Sequence, residues 1–577
     1  MIKPKPSAAA MQGYRPPTEG RQNSLRLDFN ENTSGCSPSV VKALRGATRD
    51  FLSTYPEYTN LRKQLAKYCH VDPEEVIPTN GTDEAIKAIM EAYLEPGKSQ
   101  IIIPVPTYTM FTFYAQLNGA VIREIPYKDD LSFPAEKVLR AISENTKMVV
   151  LVNPNNPTGT SIREQDIIDI VEKANTNNAL VLIDEAYCQF SGKSSISLIK
   201  KFDNLFITRT FSKAFGLAGL RLGYILSNKN NIGLIKKVLS PYSVNAVAAL
   251  CASAAMKDIR YIKEYVTETN RSKIMLYREL DNLGISYYRS DANFVLLRVG
   301  KRCPLLCRKL KEKGILVRDR SADQLLDGCL RITLGTVKQT TQLIGALRQS
   351  IKELNPLLVF DIDGVLVDVS RSYRLAVKKT GEFFTGSTVS FEEIQGFKNK
   401  GNLNNDWDLT ETMIKSKGKM APKKEIIRKF QEYYSQFEKD ETWLLDRNIL
   451  EALSRTYSLA LVTGRPGKEA YSVLRRNKTL EYFDAILARE GTPRQKPAPD
   501  GLQKVLKRFP NETAFYFGDS VDDMKAAANA GINPIGVLPP QDTSPSLRNI
   551  LIANGAERVI ENINQVQKVL EAIDENR

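Results

Sequence analysis

Histidine is almost absent: His70 is the single one among 577 residues. That scarcity excludes Ser–His–Asp triads and multi-histidine metal centres, so acid–base chemistry must run on Lys, Asp and Tyr. His70 itself reads as structural. Cysteine is scarce too. Seven in a chain this long, an odd number with no Cys-x-x-Cys pair, make no disulfide framework. Cys303 and Cys307 read as isolated thiols and speak against a zinc site. No apolar run approaches the roughly 20 residues that cross a bilayer. Residues 1–24 form an arm that opens basic and Pro/Ala-rich, without an apolar signal core. A cytoplasmic protein with no membrane partner is the expectation.

Acids are outnumbered, 66 against 81 Lys and Arg, for a net charge of +15. Such a surplus invites a nucleic-acid reading. The basic residues, however, are spaced among Glu and Asp at helical intervals, as across 423–439. No helix-turn-helix, zinc or RNA-module motif accompanies them. Solvated helix faces and an attraction for phosphorylated metabolites account for the charge, and no nucleic-acid partner is expected.

What is present is an alternation. Apolar runs at 99–105, 147–152, 179–183 and 205–208 are separated by amphipathic stretches, which predicts an α/β protein with a mainly parallel sheet. The length exceeds what one core can fill. An amphipathic helix over 336–354 stops at Asn355-Pro356, and a buried strand, Leu357–Phe360, follows directly. The expected organisation is therefore the arm 1–24, a first domain over 25–354 and a second over 355–577. No Gly/Ser-rich tether separates them.

The most informative run in the first domain is Thr210-Phe211-Ser212-Lys213, with Arg221 eight residues beyond the lysine. A lysine next to small hydroxyls and a nearby guanidinium can hold a phosphorylated aldehyde: the amine as covalent anchor, the hydroxyls and arginine on the phosphate. Upstream stand Asn80-Gly81-Thr82-Asp83 ahead of a helix predicted over 85–93, Tyr108, Asn156 in Asn-Pro-Thr-Gly, and Asp184-Glu185-Ala186-Tyr187 at a strand end. In this order the motifs resemble the fold-type I pyridoxal 5'-phosphate aminotransferases, a large mainly parallel sheet domain with a small α/β domain. The resemblance implies Lys213 as catalytic lysine and Asp184 beside the cofactor's ring nitrogen. It further implies Asn156 and Tyr187 on the phenolate oxygen, Tyr108 stacked on the ring, and Gly81, Thr82, Asp83, Thr210, Ser212 and Arg221 around the phosphate. Leu27-Asp28-Phe29-Asn30-Glu31-Asn32 and Tyr55-Pro56-Glu57 bring it nearer the histidinol-phosphate aminotransferases. Their pattern implies Tyr14, Arg318 and Arg331 on substrate phosphate or carboxylate, glutamate and 2-oxoglutarate as co-substrates, and a homodimer in which Tyr55 reaches the neighbouring subunit's cofactor. Threonine-phosphate decarboxylases share nearly all of these motifs and stay open as an alternative.

In the second domain the strand Leu357–Phe360 runs into Asp361-x-Asp363-Gly364. Thr463 in Val-Thr-Gly-Arg, Lys496 in Lys-Pro-Ala-Pro, and Gly518-Asp519-Ser520-Val521-Asp522-Asp523 follow. Four such motifs resemble the haloacid dehalogenase superfamily, a Rossmann-like fold with a mobile cap, here helical and placed at about 369–450. The resemblance implies Asp361 as phosphoryl-accepting nucleophile and Asp363 as acid and base. It implies Thr463 and Lys496 on the phosphate, and Mg²⁺ held by Asp361, Asp363 (through its carbonyl), Asp519 and Asp523. Asp406 and Trp407 fall in the cap, with packing as the expected role of the tryptophan. Both halves together imply one pathway segment: transamination giving histidinol phosphate, then a phosphatase that would accept it.

Overall fold

The computed structural model describes the chain except residues 1, 3, 12, 14–19, 399–404, 510, 512 and 575–577. It divides into two compact units, Met1–Leu347 and Arg348–Arg577. The division falls inside a continuous helix, Val337–Leu354. Among the described residues no helix is long and apolar enough to cross a membrane.

The first unit is built on seven strands: β1 (Val76–Thr79), β2 (Gln100–Val105), β3 (Val121–Pro126), β4 (Thr146–Val152), β5 (Leu180–Asp184), β6 (Leu205–Thr210) and β7 (Gly223–Leu226). Their order is β1-β7-β6-β5-β4-β2-β3. Only β7 runs against its neighbours; the pairs from β6 to β3 are parallel. The apolar runs read as strands are these strands, and their continuous hydrophobicity has a simple cause. Ile101 and Ile103 face one core while Ile102 faces another, all fully buried. A sheet covered on both faces leaves no position for polar alternation, and each such side chain contributes about 1.5–3 kcal/mol.

Between β1 and β2 lies α1 (Gly81–Tyr93), which starts four residues earlier than the sequence suggests. Gly81 opens it at φ 76°, a conformation that suits glycine and lets a polar tetrapeptide turn straight into helix. A second, antiparallel sheet holds β8 (Ser286–Tyr288), β9 (Phe294–Arg298), β10 (Arg318–Asp319) and β11 (Cys329–Thr333) in the order β10-β11-β9-β8. His70 caps the preceding helix Thr59–Cys69 in the left-handed region, a structural role.

The second unit contains β12 (Leu357–Phe360), β13 (Val367–Asp368), β14 (Thr442–Trp443), β15 (Ser458–Val462), β16 (Ala485–Leu487), β17 (Ala514–Gly518), β18 (Asn533–Val537) and β19 (Arg558–Ile560). Six form a parallel sheet ordered β16-β15-β12-β17-β18-β19. In chain order this is 3-2-1-4-5-6, the doubly wound arrangement whose switch point lies between the first and fourth strands. Here that is between β12 and β17. Phe360 and Phe517 stack across it at 4.9 Å. The short antiparallel pair β13–β14 forms a stem. Between its strands stand α2 (Tyr373–Thr385), α3 (Phe391–Lys398), α4 (Asp406–Ser416) and α5 (Lys423–Phe437).

Candidate active sites

In the first unit, functional side chains follow the carboxyl ends of neighbouring strands. Asp184 ends β5, Thr210 ends β6, Tyr108 follows β2 and Asn156 follows β4. Crevices at these ends are where open α/β sheets bind ligands. Thr82, Asp83, Tyr108, Asn156, Asp184, Tyr187, Thr210, Ser212, Lys213 and Arg221 line one cavity. Gly81 supplies the helix turn beneath it, so the first amides of α1 and its positive dipole end lie beside those side chains.

The electrostatics of the cavity suit a phosphorylated pyridine. Asp184 is buried; the Thr208 hydroxyl donates to its Oδ1 at 3.0 Å, and the Ala186 amide adds a backbone hydrogen bond. Burial pushes its carboxyl up to about 7, so a cationic ring nitrogen would restore its charge. Among the described residues Lys213 has no carboxylate partner; its Nζ donates to the Phe29 carbonyl at 2.8 Å. Desolvation, with Arg331 as the strongest repelling cation, brings the amine down to about 8. Tyr187 accepts from Asn30 Nδ2 at 2.9 Å, and burial raises its phenol to about 12. The Tyr108 hydroxyl donates to Asp83 Oδ1 at 2.9 Å, while Asp83 Oδ2 pairs with Arg221 at 2.8 Å. Arg221 holds φ 52°, a strained left-handed conformation, where it ends the short turn Ala218–Leu220. The lone buried acid, the unpaired lysine, the hydroxyls and the arginine form the donor set that pyridoxal phosphate requires. Lys213, Asp184, Tyr187, Thr210, Ser212 and Arg221 would hold it.

Arg331 lies beside this cavity, 5% exposed, donating to Asn156 Oδ1 and to the Asp28 carbonyl. Burial, with Arg320 and Arg318 nearby, lowers it to about 10. Arg318 faces Arg331 in the β10–β11 register, and its guanidinium sits 5.9 Å from the Phe29 ring centre. Arg21 covers the same ring at 4.2 Å while bound to Asp28 and Glu31. Tyr55 does not line the cavity; it is 77% exposed and stacks on Tyr242 at 4.5 Å. Tyr14 lies outside the described residues. Asn30 and Arg21 carry no assignment in the sequence reading, although Asn30 sits in the Asp-Phe-Asn-Glu-Asn motif quoted there.

The second unit repeats the strategy at its own switch point. Asp361 follows β12, Thr463 follows β15, Lys496 lies beyond β16 and Asp519 follows β17. Lys496 donates to Asp361 Oδ2 at 2.8 Å, Asp523 Oδ1 at 2.7 Å and the Tyr516 hydroxyl at 2.9 Å. Asp361, Asp519 and Asp523 lie with carboxylate oxygens within 4.8 Å of one another. A Cβ on Gly364 would meet Asp519 Oδ2 at 2.1 Å, so glycine there admits the third carboxylate. Burial, with neighbouring acids, raises Asp361 to about 7 and Asp519 to about 8. A divalent cation would offset that crowding, and oxygen ligands of this kind suit Mg²⁺. Asp523 is already committed: Lys496, Tyr516 and Ser520 occupy both its oxygens. It anchors Lys496, leaving Asp361 and Asp519 with the more available oxygens.

Thr463 Oγ1 accepts from the Arg465 amide at 3.2 Å. The Asp363 side chain is engaged by the Arg465 guanidinium and is not among the clustered carboxylates, which leaves its backbone carbonyl for a metal. Arg465, Glu441 and the cap cations had no role in the sequence reading. The cleft is lined by residues of both sheet and cap, among them Asp361, Asp363, Arg374, Lys398, Trp407 and Arg489. Trp407, partly buried, packs against the second unit's core, and Arg489 lies over its ring at 4.5 Å.

One expectation needs correction. Cys303 and Cys307 are not isolated: one turn apart on the helix Cys303–Glu312, they lie with Asp319 within 4.8 Å. The i,i+4 spacing hid a pairing that a Cys-x-x-Cys search does not test.

Comparison with known proteins places a family on each unit. The family described as aminotransferase class I and II matches residues 22–347, and haloacid dehalogenase-like hydrolase matches 358–537. A histidinol-phosphate aminotransferase of Caldanaerobacter subterraneus subsp. tengcongensis is 37% identical over 329 residues, 56% of this chain and 92% of that protein. The structure of histidinol-phosphate aminotransferase from Sinorhizobium meliloti in complex with pyridoxal-5'-phosphate is similar at TM-score 0.56 and 26% identity, over 61% of this chain and 98% of that one. L-threonine-O-3-phosphate decarboxylase from Porphyromonas gingivalis is similar at TM-score 0.50 and 25% identity, over 56% and 98%. With a lysine, an aspartate and a helix-borne anion cradle around one cavity, the chain belongs to the class I and II aminotransferases, and a haloacid dehalogenase-like hydrolase domain follows on the same polypeptide.

Proposed function

We propose that the first unit transfers an amino group between L-histidinol phosphate and 2-oxoglutarate, with pyridoxal phosphate on Lys213. We propose further that the second unit is a Mg²⁺-dependent phosphohydrolase with Asp361 as nucleophile, for which histidinol phosphate is the substrate that the shared chain suggests. The observation that carries the first reading is the pairing of Arg318 with Arg331 across β10–β11, beside the cavity that contains Lys213. Two guanidiniums suit a phosphate dianion, and the relative at 37% identity bears the matching name. When bound, the cofactor supplies an electron sink for the substrate carbon that gains or loses nitrogen. The protein's own part is to move a proton at Lys213 Nζ, keep Asp184 charged against the ring, and hold the substrate anion with Arg331. A homodimer is supported by Tyr55, which stands exposed and stacked on Tyr242 rather than in its own cavity.

In the second unit, Asp361 Oδ would form a bond to phosphorus as the ester oxygen leaves with a proton from Asp363. Water, deprotonated by the same carboxylate, would then release phosphate. Lys496 and the metal would offset the charge.

A coupled assay with histidinol phosphate and 2-oxoglutarate tests both readings, following glutamate and inorganic phosphate separately. Lys213→Ala should abolish only glutamate and Asp361→Asn only phosphate. Carbon dioxide from threonine phosphate, without glutamate formation, would favour the decarboxylase instead.

A further inference from the structure

Four cations besides Lys496 reach the cleft above Asp361: Arg374, Lys398, Arg465 and Arg489. Two are neutralised. Arg465 pairs with Asp363 and Glu441, and Lys398 pairs with Asp406 at 3.0 Å. The other two have no carboxylate among the described residues. Arg374, on α2, is 4% exposed; its Nη1 donates to the neutral Gln395 side chain at 2.7 Å, and its Nε is buried with no acceptor. Arg489 lies over the Trp407 ring at 4.5 Å. A buried guanidinium with an unmade hydrogen bond is costly, and such a group is retained where a ligand completes it. Arg374 also borders a second cavity of about 730 Å³, whose lining includes Arg371, Glu392, Gln395, Gln541 and Asp542.

The acids of the cleft are mostly committed. Asp361, Asp519 and Asp523 belong to the metal cluster, and Asp363 and Asp406 are paired with Arg465 and Lys398. Among the described acids outside that cluster, Glu469 alone has only neutral partners, the Tyr373 hydroxyl and the Gln431 amide, against two guanidiniums without a carboxylate.

We propose that Arg374 and Arg489 form an anion subsite, so that the second unit acts on a phosphate monoester whose leaving group carries a second anion, a carboxylate or another phosphate. The proposal rests on the phosphohydrolase reading and orders its substrates, placing cationic histidinol phosphate below dianionic esters. Each guanidinium would give a charge-assisted hydrogen bond to that anion, while Lys496 and the metal take the transferring phosphoryl group.

The test uses the full-length protein with Mg²⁺ and four esters: 2-phosphoglycolate, fructose 1,6-bisphosphate, ethyl phosphate and L-histidinol phosphate. Expected is a kcat/KM for phosphoglycolate or the bisphosphate about tenfold or more above that for ethyl phosphate. Which of the two leads tells carboxylate from phosphate. Arg374→Gln and the more exposed Arg489→Gln should each shrink that ratio, mainly through KM. Equal turnover of all four esters, or variants that lower every ester alike, would overturn the subsite. Calorimetric binding of the same esters to Asp361→Asn separates the two layers. Tenfold tighter binding of an anionic ester with no turnover by the native protein would end the phosphohydrolase reading and keep the subsite. Binding without preference would end the subsite, whatever is hydrolysed.

Discussion

Arg465 donates its Nε to Asp363 Oδ1, and the same guanidinium, 2% exposed, reaches Glu441 at 3.1 Å. Glu441 immediately precedes β14, one strand of the cap stem, and also accepts from Ser372, Tyr434 and Arg476. The proposed acid of the second site is thus tied through one arginine to the point where the cap joins the core. Burial raises Asp363, and Arg465 opposes that rise.

Arg465→Gln should therefore cost most where a leaving oxygen needs its proton delivered. Hydrolysis of ethyl phosphate should fall about 10²–10⁴-fold, the usual worth of a placed general acid. p-Nitrophenyl phosphate, whose leaving group needs no proton, should lose far less. The alkaline limb of kcat/KM for the alkyl ester should also move to higher pH, because Asp363 loses the cation that holds its pKa down. Equal losses for both esters would reduce Arg465 to a packing residue.

Metal binding should release protons. Asp361 and Asp519 are raised to about 7 and about 8 by burial and by neighbouring acids, so both bind protons near neutrality in the metal-free protein. A cation favours their ionised forms. Calorimetric titration of Mg²⁺ at pH 7 in buffers of different ionisation enthalpy should show net proton release. Asp519→Asn should reduce the release and raise the Mg²⁺ needed for turnover by about tenfold or more. Proton uptake would contradict the carboxylate assignment.

Much of this was readable from residue order. β5 is legible because an apolar run buried on both sides ends abruptly in Asp184-Glu185, and β12 because the same happens at Asp361. Polarity changes sharply where a strand leaves the core for a crevice. The start of α1 was not legible, since Asn80-Gly81-Thr82-Asp83 has the composition of a loop and becomes helix only through the positive φ at Gly81. The charge partners of the second site were hidden for another reason. Arg374, Glu441, Arg465 and Arg489 lie far apart in sequence and meet only when cap and sheet fold together, so no local spacing signals them. Cys303, Cys307 and Asp319 meet through helix and strand geometry in the same way.

For the first site, the apoprotein should capture pyridoxal phosphate at a rate that rises through pH about 8, where the Lys213 amine loses its proton. An ordinary lysine would give a rise near 10.5. Arg331→Gln removes the strongest repelling cation, so the midpoint should move above 8, while Lys213→Ala should capture none covalently. Absorbance of the bound aldehyde against pH decides the matter. A midpoint unchanged by Arg331→Gln would mean that desolvation alone sets the amine.

Asp184 gives the sharpest contrast between stability and function. Its pKa of about 7 lies above the usual 3.8, so the folded apoprotein holds this proton more tightly than the unfolded chain does. The resulting stability is fully present below pH 3.8 and is lost as pH rises through about 7. Asp184→Asn keeps a neutral side chain at every pH. Its apoprotein should melt about 2–4 °C above the native apoprotein at pH 8 and converge with it in acid. Activity should move the other way, with kcat falling about 10²–10³-fold because no charge faces the ring nitrogen. Pyridoxal phosphate should stabilise the native protein more than the variant, since only the native carboxylate gains a cationic partner on binding. A variant that melted lower than the native apoprotein at pH 8 would show that Asp184 is charged and satisfied before the cofactor arrives.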